Sequence, residues 1–144
     1  MKRNILKTIT FLLVLFLGIS FICSCKQKGT AKAEIVEKSD VVVVIKINET
    51  EGFAHLIDAM KYLKEKGELT YDLSADGMVT SVNGKENAAD WSACWMLYTS
   101  DSEMSNTQWG TYAYKDKTYG SAILGAESLE VSAGEYYVWS YDAF

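Results

Sequence analysis

The stretch VVVVIKINETEGFAHLIDAMKYLKEKG, residues 41–67, decides the fold class of this chain. Its first part, Val41 to Ile47, is almost entirely β-branched and apolar, which predicts a strand that is covered on both faces. Its second part carries one apolar stripe at helical spacing, formed by Phe53, Leu56, Ile57, Met60 and Leu63. The stretch therefore predicts a central strand followed by a helix that packs on a sheet.

The two ends of this helix have their own signals. Asn48, followed by Glu51 three positions later, resembles a capping box at the N-terminus. Gly67 is a natural C-terminal stop, because glycine adopts the left-handed conformation that ends many helices. We therefore expect the helix to lie between Asn48 and Gly67.

The chain after the helix is rich in strand signals. Short alternating segments are separated by the turn dipeptides Asp76-Gly77, Asn83-Gly84 and Ala133-Gly134. The chain of 144 residues contains no proline, so its turns depend on Gly, Asn and Asp. One helix among several strands predicts an α+β fold, a mixed sheet with one main helix packed across one face.

The N-terminus has the pattern of an export signal. Basic residues in MKRN and at Lys7 precede an apolar run that is short for a membrane span. The run ends in ICSC, residues 22–25, which resembles a bacterial lipobox in which Cys25 receives the lipid. We expect residues 1–24 to be a lipoprotein signal peptide; a signal peptide cut elsewhere and an uncleaved anchor are the alternatives.

Residues 25–40 are polar and aperiodic, which predicts a flexible tether in front of a domain at 41–144. Removal of residues 1–24 leaves 11 of the 14 basic residues against 19 acidic ones, a net charge of −8. Such a surface repels nucleic acid and anionic headgroups. We expect the lipid on Cys25 to be the only membrane contact and the location to be extracytoplasmic, at a bacterial membrane.

The sequence favours no catalytic or metal chemistry. Cys94 is the one cysteine that would remain beside Cys25, and a lone cysteine in an apolar run is usually a small buried residue. His55 is the only histidine, and it is expected on the solvent side of the helix. Without a partner for either side chain we expect no enzyme, no metal site and no cofactor.

Aromatic side chains are the one unusual chemical feature. The chain has four Trp and nine Tyr, whose polar tips suit half-buried surfaces and stacking on ligands. In WSACWMLY, residues 91–98, strand parity puts Trp95 and Leu97 on one face of a sheet and Tyr98 on the other. The candidates for an exposed stacking patch are Trp91, Trp109, Tyr98, Tyr112 and Tyr114. The alternative is a tyrosine-rich outer sheet face without a ligand.

Three segments together resemble a known family. VTSVNG (79–84), WMLY (95–98) and GEYYVWSY (134–141) are similar, in order and spacing, to the transcobalamin C-terminal-like domain family (DUF4430). The helix LIDAMKYL stands where the family has its helix. The resemblance spans about residues 41–142.

This resemblance implies a β-grasp fold and a role in binding. Animal members of the family use the domain as a cap over cobalamin, and bacterial members are often secreted or lipid-anchored. We therefore expect a non-catalytic surface lipoprotein that binds a soluble ligand, such as a cobalamin-like corrinoid, through its aromatic face. The alternative is an adhesion or assembly module that docks a surface protein or a polysaccharide.

Overall fold

A computed structural model describes residues 30–144 of the protein; the expected signal peptide and Cys25 lie outside the described residues. The elements, in chain order, are β1 (Ala33–Lys38), β2 (Val42–Ile47), α1 (Leu56–Glu65), β3 (Tyr71–Leu73), β4 (Val79–Val82), β5 (Lys85–Glu86), β6 (Ala93–Thr99), β7 (Ser105–Tyr114), β8 (Lys117–Ala122) and β9 (Tyr136–Ala143). Strands dominate and α1 is the one helix of this part of the chain. The expected α+β class is confirmed at this level.

The strands form two sheets in which every pairing is antiparallel. The large sheet has the order β1-β2-β9-β6-β8-β7, and the small sheet has the order β3-β4-β5. The expectation of a mixed sheet is therefore wrong. It rested on the count of one helix among several strands, which predicts an α+β fold but does not determine the direction of the strands.

Strand β1 lies inside the segment that was expected to be a flexible tether, residues 25–40. Residues 33–38 pair with β2 along its outer edge, and Ala33 is fully buried while Glu37 and Lys38 are exposed. The segment looked aperiodic because only Ala33 and Ile35 face the core, and because edge strands carry charged residues that prevent further pairing. The ordered part of the domain thus begins before residue 41.

Strand β2 is buried on both faces, as its sequence predicts. Val43, Ile45 and Ile47 belong to the core between the large sheet and α1, while Val44 belongs to a second apolar cluster on the opposite face. Trp95 and Leu97 of β6 also face the helix side, and Tyr98 faces the other side, which confirms the predicted parity.

Helix α1 has ten residues and buries Leu56, Ile57, Met60 and Leu63 against the sheet, which confirms the apolar stripe. It ends before Gly67, whose positive φ of 73° confirms the predicted stop. The predicted start is wrong: His55, rather than Asn48, is the N-cap residue. The chain turns at Gly52 (φ 85°), so residues 48–54 form a turn instead of the first helical residues.

A carboxylate holds the start of α1. Asp58 accepts hydrogen bonds from the backbone N–H groups of Ala54 and His55 at 3.0 and 3.1 Å. These bonds are the main reason that the pKa of Asp58 lies below its ordinary value. His55 is half-buried, and its backbone forms an isolated antiparallel β-bridge with Glu130. It was expected to face solvent, but it is only partly exposed.

The segment between β8 and β9 also contacts the start of the helix. The carbonyl oxygens of Leu129 and Ala126 accept hydrogen bonds from the N–H groups of Leu56 and Ile57 at 2.8 and 2.9 Å. The first N–H groups of a helix have no partner within the helix, so these bonds satisfy two of them. They also fix residues 126–129 beside the sheet, where the segment forms one wall of a cavity.

The small sheet packs on the same face of the large sheet as the helix. Trp95 donates its indole N–H to the carbonyl of Lys85 at 2.7 Å, and the Tyr141 hydroxyl donates to the carbonyl of Glu86 at 3.1 Å. The turn between β4 and β5 has Asn83 and Gly84 at positive φ, which confirms the predicted Asn-Gly hairpin.

Candidate ligand-binding site

The structure places the five expected ligand-binding residues in three regions. Tyr98 and Tyr114 are buried and Tyr112 is half-buried, while Trp91 and Trp109 are exposed by 52% and 63%. The three tyrosines lie together on the face of the large sheet opposite the helix. The two tryptophans lie elsewhere.

The buried region is a cluster of rings that we call the tyrosine cluster: Tyr98, Tyr112, Tyr114, Tyr119 and Tyr136. Ring centroids lie 5.7 Å apart for Tyr98 and Tyr112 and 5.9 Å apart for Tyr114 and Tyr136. Three of these rings belong to the β7–β8 hairpin. Strand β8 pairs with β6 only near the C-terminal end of β8, so the rest of the hairpin carries its rings across the outer face of the sheet. The rings stack on one another, which leaves Tyr98 and Tyr114 little surface for a ligand.

Polar groups complete the tyrosine cluster. The Tyr98 hydroxyl donates a hydrogen bond to Asp142 at 2.6 Å, and Asp142 also accepts one from Ser140 at 2.6 Å. Burial, followed by this hydrogen bond, raises the pKa of Tyr98. The arrangement satisfies the buried hydroxyl, as expected for a structural tyrosine.

Trp91 occupies a strained position in the loop between β5 and β6. Its φ of 60° lies in the left-handed region, where a bulky side chain is rare. The loop is held by Asn87, whose side chain accepts the N–H of Trp95 at 2.8 Å and donates to the carbonyl of Val79 at 3.2 Å. Strain of this kind concentrates at functional sites and costs of order 1–3 kcal/mol.

Trp91 lines a cavity of about 500 Å³, which we call the Trp91 cavity. The β3–β4 turn, the Trp91 loop, strand β6 and residues 121–128 surround it. Four consecutive residues of β6, 94–97, line it. Since consecutive strand residues point to opposite faces, the cavity opens along the edge of β6, where β8 pairs only with Tyr98 and Thr99.

Exposed apolar side chains converge on this cavity. The described part of the chain exposes eight large hydrophobic side chains, and four of them line the Trp91 cavity: Met78, Trp91, Ile123 and Leu124. They belong to three separate segments of the sequence. A contiguous apolar surface around a concave site is typical of a ligand-binding site, whereas single exposed hydrophobic residues are common on any protein.

The inner wall of the Trp91 cavity contains a buried donor without a partner. Trp139 is only 4% exposed, and its indole N–H makes no hydrogen bond within the protein. Trp95, on the neighbouring strand, has its indole N–H satisfied by Lys85. A buried indole N–H usually has a partner, so the unsatisfied one beside a cavity marks a polar contact point.

The lip of the cavity is acidic. Asp76 lies in the β3–β4 turn, and a hydrogen bond from the Ser74 hydroxyl lowers its pKa. The carboxylate of Glu127, on the opposite wall, lies against Gly77. A Cβ added to Gly77 would overlap this carboxylate. Gly77 has a φ of 81°, so glycine suits this turn in conformation as well as in space.

Cys94 also lines the Trp91 cavity, and it is half-buried. Its thiol lies 3.7 Å from the sulfur of Met96. Burial, with a smaller contribution from the charge of Asp142, raises the pKa of the thiol. A raised pKa makes the thiol a poor nucleophile, so Cys94 contributes apolar surface to the cavity.

Trp109 does not line the Trp91 cavity. It lies on β7 of the outer hairpin, within the irregular stretch between Asn106 and Thr111. The two exposed tryptophans therefore do not form one concave stacking site around this cavity. Trp109 serves below as a matched control for Trp91.

Between residues 30 and 144, no three His, Cys, Asp or Glu side chains lie close enough to hold a metal ion. In the same range, no helix has the length and apolar character needed to cross a membrane.

Sequence reasoning missed most of the Trp91 cavity. Trp139 was named only as part of the family-like segment 134–141, and Met78, Ile123 and Leu124 had no assigned role. A weak signal was present, since Ile123 and Leu124 continue an apolar run past the end of β8. Their convergence with Met78 depends on packing between distant segments, which no local pattern encodes.

Comparison of the chain with protein-family models, with curated proteins and with solved structures gives no match.

Proposed function

We propose that the described domain is a non-catalytic binding module and that the Trp91 cavity is its site for a small, largely apolar ligand. The observation that carries this proposal is the convergence of four exposed apolar side chains on one cavity of about 500 Å³. That volume lies within the range of about 300–1,000 Å³ typical of small-molecule sites. An apolar ligand would cover surface that is otherwise exposed to water.

The conformation of Trp91 supports the same proposal. The positive φ of this residue lowers stability, and about half of its side chain is exposed, so packing does not explain why a tryptophan stands there. A ring held at the mouth of a cavity offers a flat face for stacking. The Asn87 hydrogen bonds keep the ring at this mouth before any ligand binds.

We further propose that lipid on Cys25 holds the module at the outer side of a bacterial membrane. The proposal comes from the lipobox-like ICSC alone, since these residues lie outside the described range. Two or three acyl chains would anchor the chain stably, because each buried methylene contributes about 0.8 kcal/mol. Cells fed labelled palmitate should label the wild-type chain and leave the Cys25→Ala variant unlabelled; equal labelling would refute the anchor.

The relation to the transcobalamin C-terminal-like family, with its β-grasp fold, remains part of the proposal. The β1–β2 hairpin followed by a helix and then by aromatic strands supports it. A cobalamin-like corrinoid is the ligand that the relation implies. The tyrosine cluster offers it little surface, so in this proposal a corrinoid would contact the Trp91 side of the domain.

One observation favours a second candidate function, the docking of a surface protein. The Trp91 cavity opens along the side of β6 where residues 93–97 have no strand partner in the described part of the chain. An extended segment of a partner protein could add to this edge. Asn87 already occupies the N–H of Trp95, which shortens the available edge and favours the small ligand.

Tryptophan emission of the full-length chain tests the proposed site. Cyanocobalamin and a panel of flat, neutral compounds would be titrated against the wild type, Trp91→Ala and Trp109→Ala, with absorbance corrected by free tryptophan. A saturable change that Trp91→Ala abolishes and Trp109→Ala retains is expected for at least one compound. A panel without any saturable response, or a response that depends on Trp109 instead, would contradict the proposal.

A further inference from the structure

We propose that the ligand of the Trp91 cavity is a flat small molecule without negative charge that gives the Trp139 indole N–H a hydrogen-bond acceptor. The inference rests on the proposed function and specifies its ligand class. It combines three observations at one place: a buried donor without a partner, an acidic lip and an exposed ring at the mouth.

The unsatisfied donor defines the polar end of the ligand. Trp139 lies on β9 opposite Leu97 of β6, and both side chains line the cavity. Leaving a buried donor unpaired is unfavourable, and the same group gains a full hydrogen bond when an acceptor arrives. A ligand with a carbonyl oxygen or a ring nitrogen at this depth would therefore bind more tightly than an equally shaped hydrocarbon.

Access to Trp139 requires a small rearrangement of the cavity wall, because its N–H is sealed from solvent. Met78 is the side chain best suited to move. It is 43% exposed, it lines the cavity, and its unbranched chain adopts several shapes at low cost. In the proposal, movement of such a flexible side chain on ligand entry exposes the indole N–H to the acceptor.

The acidic lip of the cavity indicates that the ligand carries no negative charge. Asp76 and Glu127 line the cavity, and no Lys, Arg or His is among its described lining residues. The hydrogen bond from Ser74 keeps the pKa of Asp76 below its ordinary value, so this carboxylate stays ionised at neutral pH. An anionic ligand would meet repulsion that no basic side chain at the site offsets.

Trp91 defines the shape of the ligand. Its ring stands at the mouth, and Ile123 and Leu124, which are 38% and 44% exposed, line the same cavity. A flat aromatic molecule can stack on the ring while its edge points inward. This orientation carries an acceptor on the inner edge towards Trp139.

Three probes of nearly equal shape test the inference: quinoline, naphthalene and quinoline-3-carboxylate. Quinoline differs from naphthalene by one ring nitrogen, and the carboxylate adds the negative charge. The full-length chain, labelled with ¹⁵N at tryptophan and held in phospholipid nanodiscs, would be titrated at pH 7.5. Empty nanodiscs give the free probe concentration. The spectrum of Trp139→Phe assigns the Trp139 indole among the four tryptophan signals.

The inference predicts that quinoline moves the Trp139 indole proton downfield and binds about tenfold more tightly than naphthalene, the effect of one satisfied donor. Quinoline-3-carboxylate should bind at least several-fold more weakly than quinoline. In Trp139→Phe, quinoline and naphthalene should bind alike. If that variant does not fold, Trp91→Phe, Trp95→Phe and Trp109→Phe assign the other three signals, and the shift of the remaining wild-type signal supports or contradicts the inference.

Other outcomes separate this inference from the proposed function. If quinoline and naphthalene bind equally and move the Trp91 signal but not the Trp139 signal, the acceptor is refuted while the cavity remains a binding site. Tighter binding of the carboxylate would refute the uncharged ligand class. If no probe moves the Trp91 signal at millimolar concentration, both the inference and the proposed site are refuted.

Discussion

The tyrosine cluster and the Trp91 cavity border the same strand, β6, but they differ in what covers them. On the outer face, rings of the β7–β8 hairpin cover Tyr98, so the tyrosine cluster is closed to solvent. At the edge of β6 nothing in the described chain covers Met78, Trp91, Ile123 and Leu124, and the cavity is open. The abundance of aromatic residues thus does not separate the two regions; the presence or absence of a covering segment does.

The largest expected difference between the two regions is in stability. Tyr114→Ala removes a ring that packs on Tyr119 and Tyr136, and it should lower the free energy of unfolding by roughly 3 kcal/mol. Urea unfolding measures the loss. Trp109→Ala, on the same hairpin but 63% exposed, is the control and should cost less than about 1 kcal/mol. Equal losses in the two variants would mean that the cluster is not closed.

Removal of one hydroxyl tests the polar part of the cluster. Tyr98→Phe loses the hydrogen bond to Asp142 and should cost about 1.5 kcal/mol at pH 7. Because the pKa of Tyr98 is raised in the folded state, the unfolded state loses this proton first as pH rises above about 10. Stability should therefore fall with increasing pH in that range.

The same variant sharpens the pH prediction. Tyr98→Phe cannot ionise at this position, so its free energy of unfolding should fall less steeply between pH 9 and pH 11 than that of the wild type. Denaturant unfolding at several pH values measures both slopes. An identical slope in both proteins would show that Tyr98 titrates normally and is not sealed in the cluster.

Loss of a side chain that supports the Trp91 loop should lower the free energy of unfolding less than the changes in the tyrosine cluster do. Asn87→Ala removes the acceptor for the Trp95 N–H and the donor to Val79, and it should cost about 1 kcal/mol and loosen the Trp91 loop. Asn106→Ala is a matched control, since the Asn106 side chain only accepts the N–H of Gln108, at the irregular part of β7. Amide hydrogen exchange of residues 88–92 should rise in Asn87→Ala alone. Equal exchange in both variants would contradict the role of Asn87.

Trp91→Ala is the smallest of these changes for stability. About half of the Trp91 side chain is exposed, so its truncation removes little packing, and alanine keeps the Cβ that makes φ 60° unfavourable; we expect a loss of less than about 1 kcal/mol. Binding of any ligand of the cavity should nevertheless be lost, which quinoline titration measures. A stability loss as large as that of Tyr114→Ala would place Trp91 in the core and contradict its assignment to a binding site.

Local patterns predicted much of the fold. The run of β2, the stripe of α1, the stop at Gly67 and the Asn-Gly hairpin follow from residues within one element. The errors arise where partners are distant. Asp58 and the Leu129 carbonyl, rather than Asn48, hold the start of the helix. Strand β1 depends on β2 for its pairing.

The candidate site was less predictable than the fold. Trp91 and Trp109 were expected to be exposed, which the structure confirms, but sequence alone could not separate them from the tyrosines that the β7–β8 hairpin buries. Parity assigns a side chain to a face of the sheet without telling whether another segment covers that face. The role proposed for Trp139 depends on a missing hydrogen-bond partner, which only the three-dimensional arrangement shows.

Hydroxyl-radical footprinting of the full-length chain, analysed by mass spectrometry, tests the difference between the closed and the open region most directly. We predict rapid oxidation of Trp91 and Met78 and strong protection of Tyr98, Tyr114 and Tyr119, which are 7%, 6% and 4% exposed. Oxidation of these tyrosines at the rate of Trp91, or protection of Trp91 and Met78 in the protein without ligand, would contradict it.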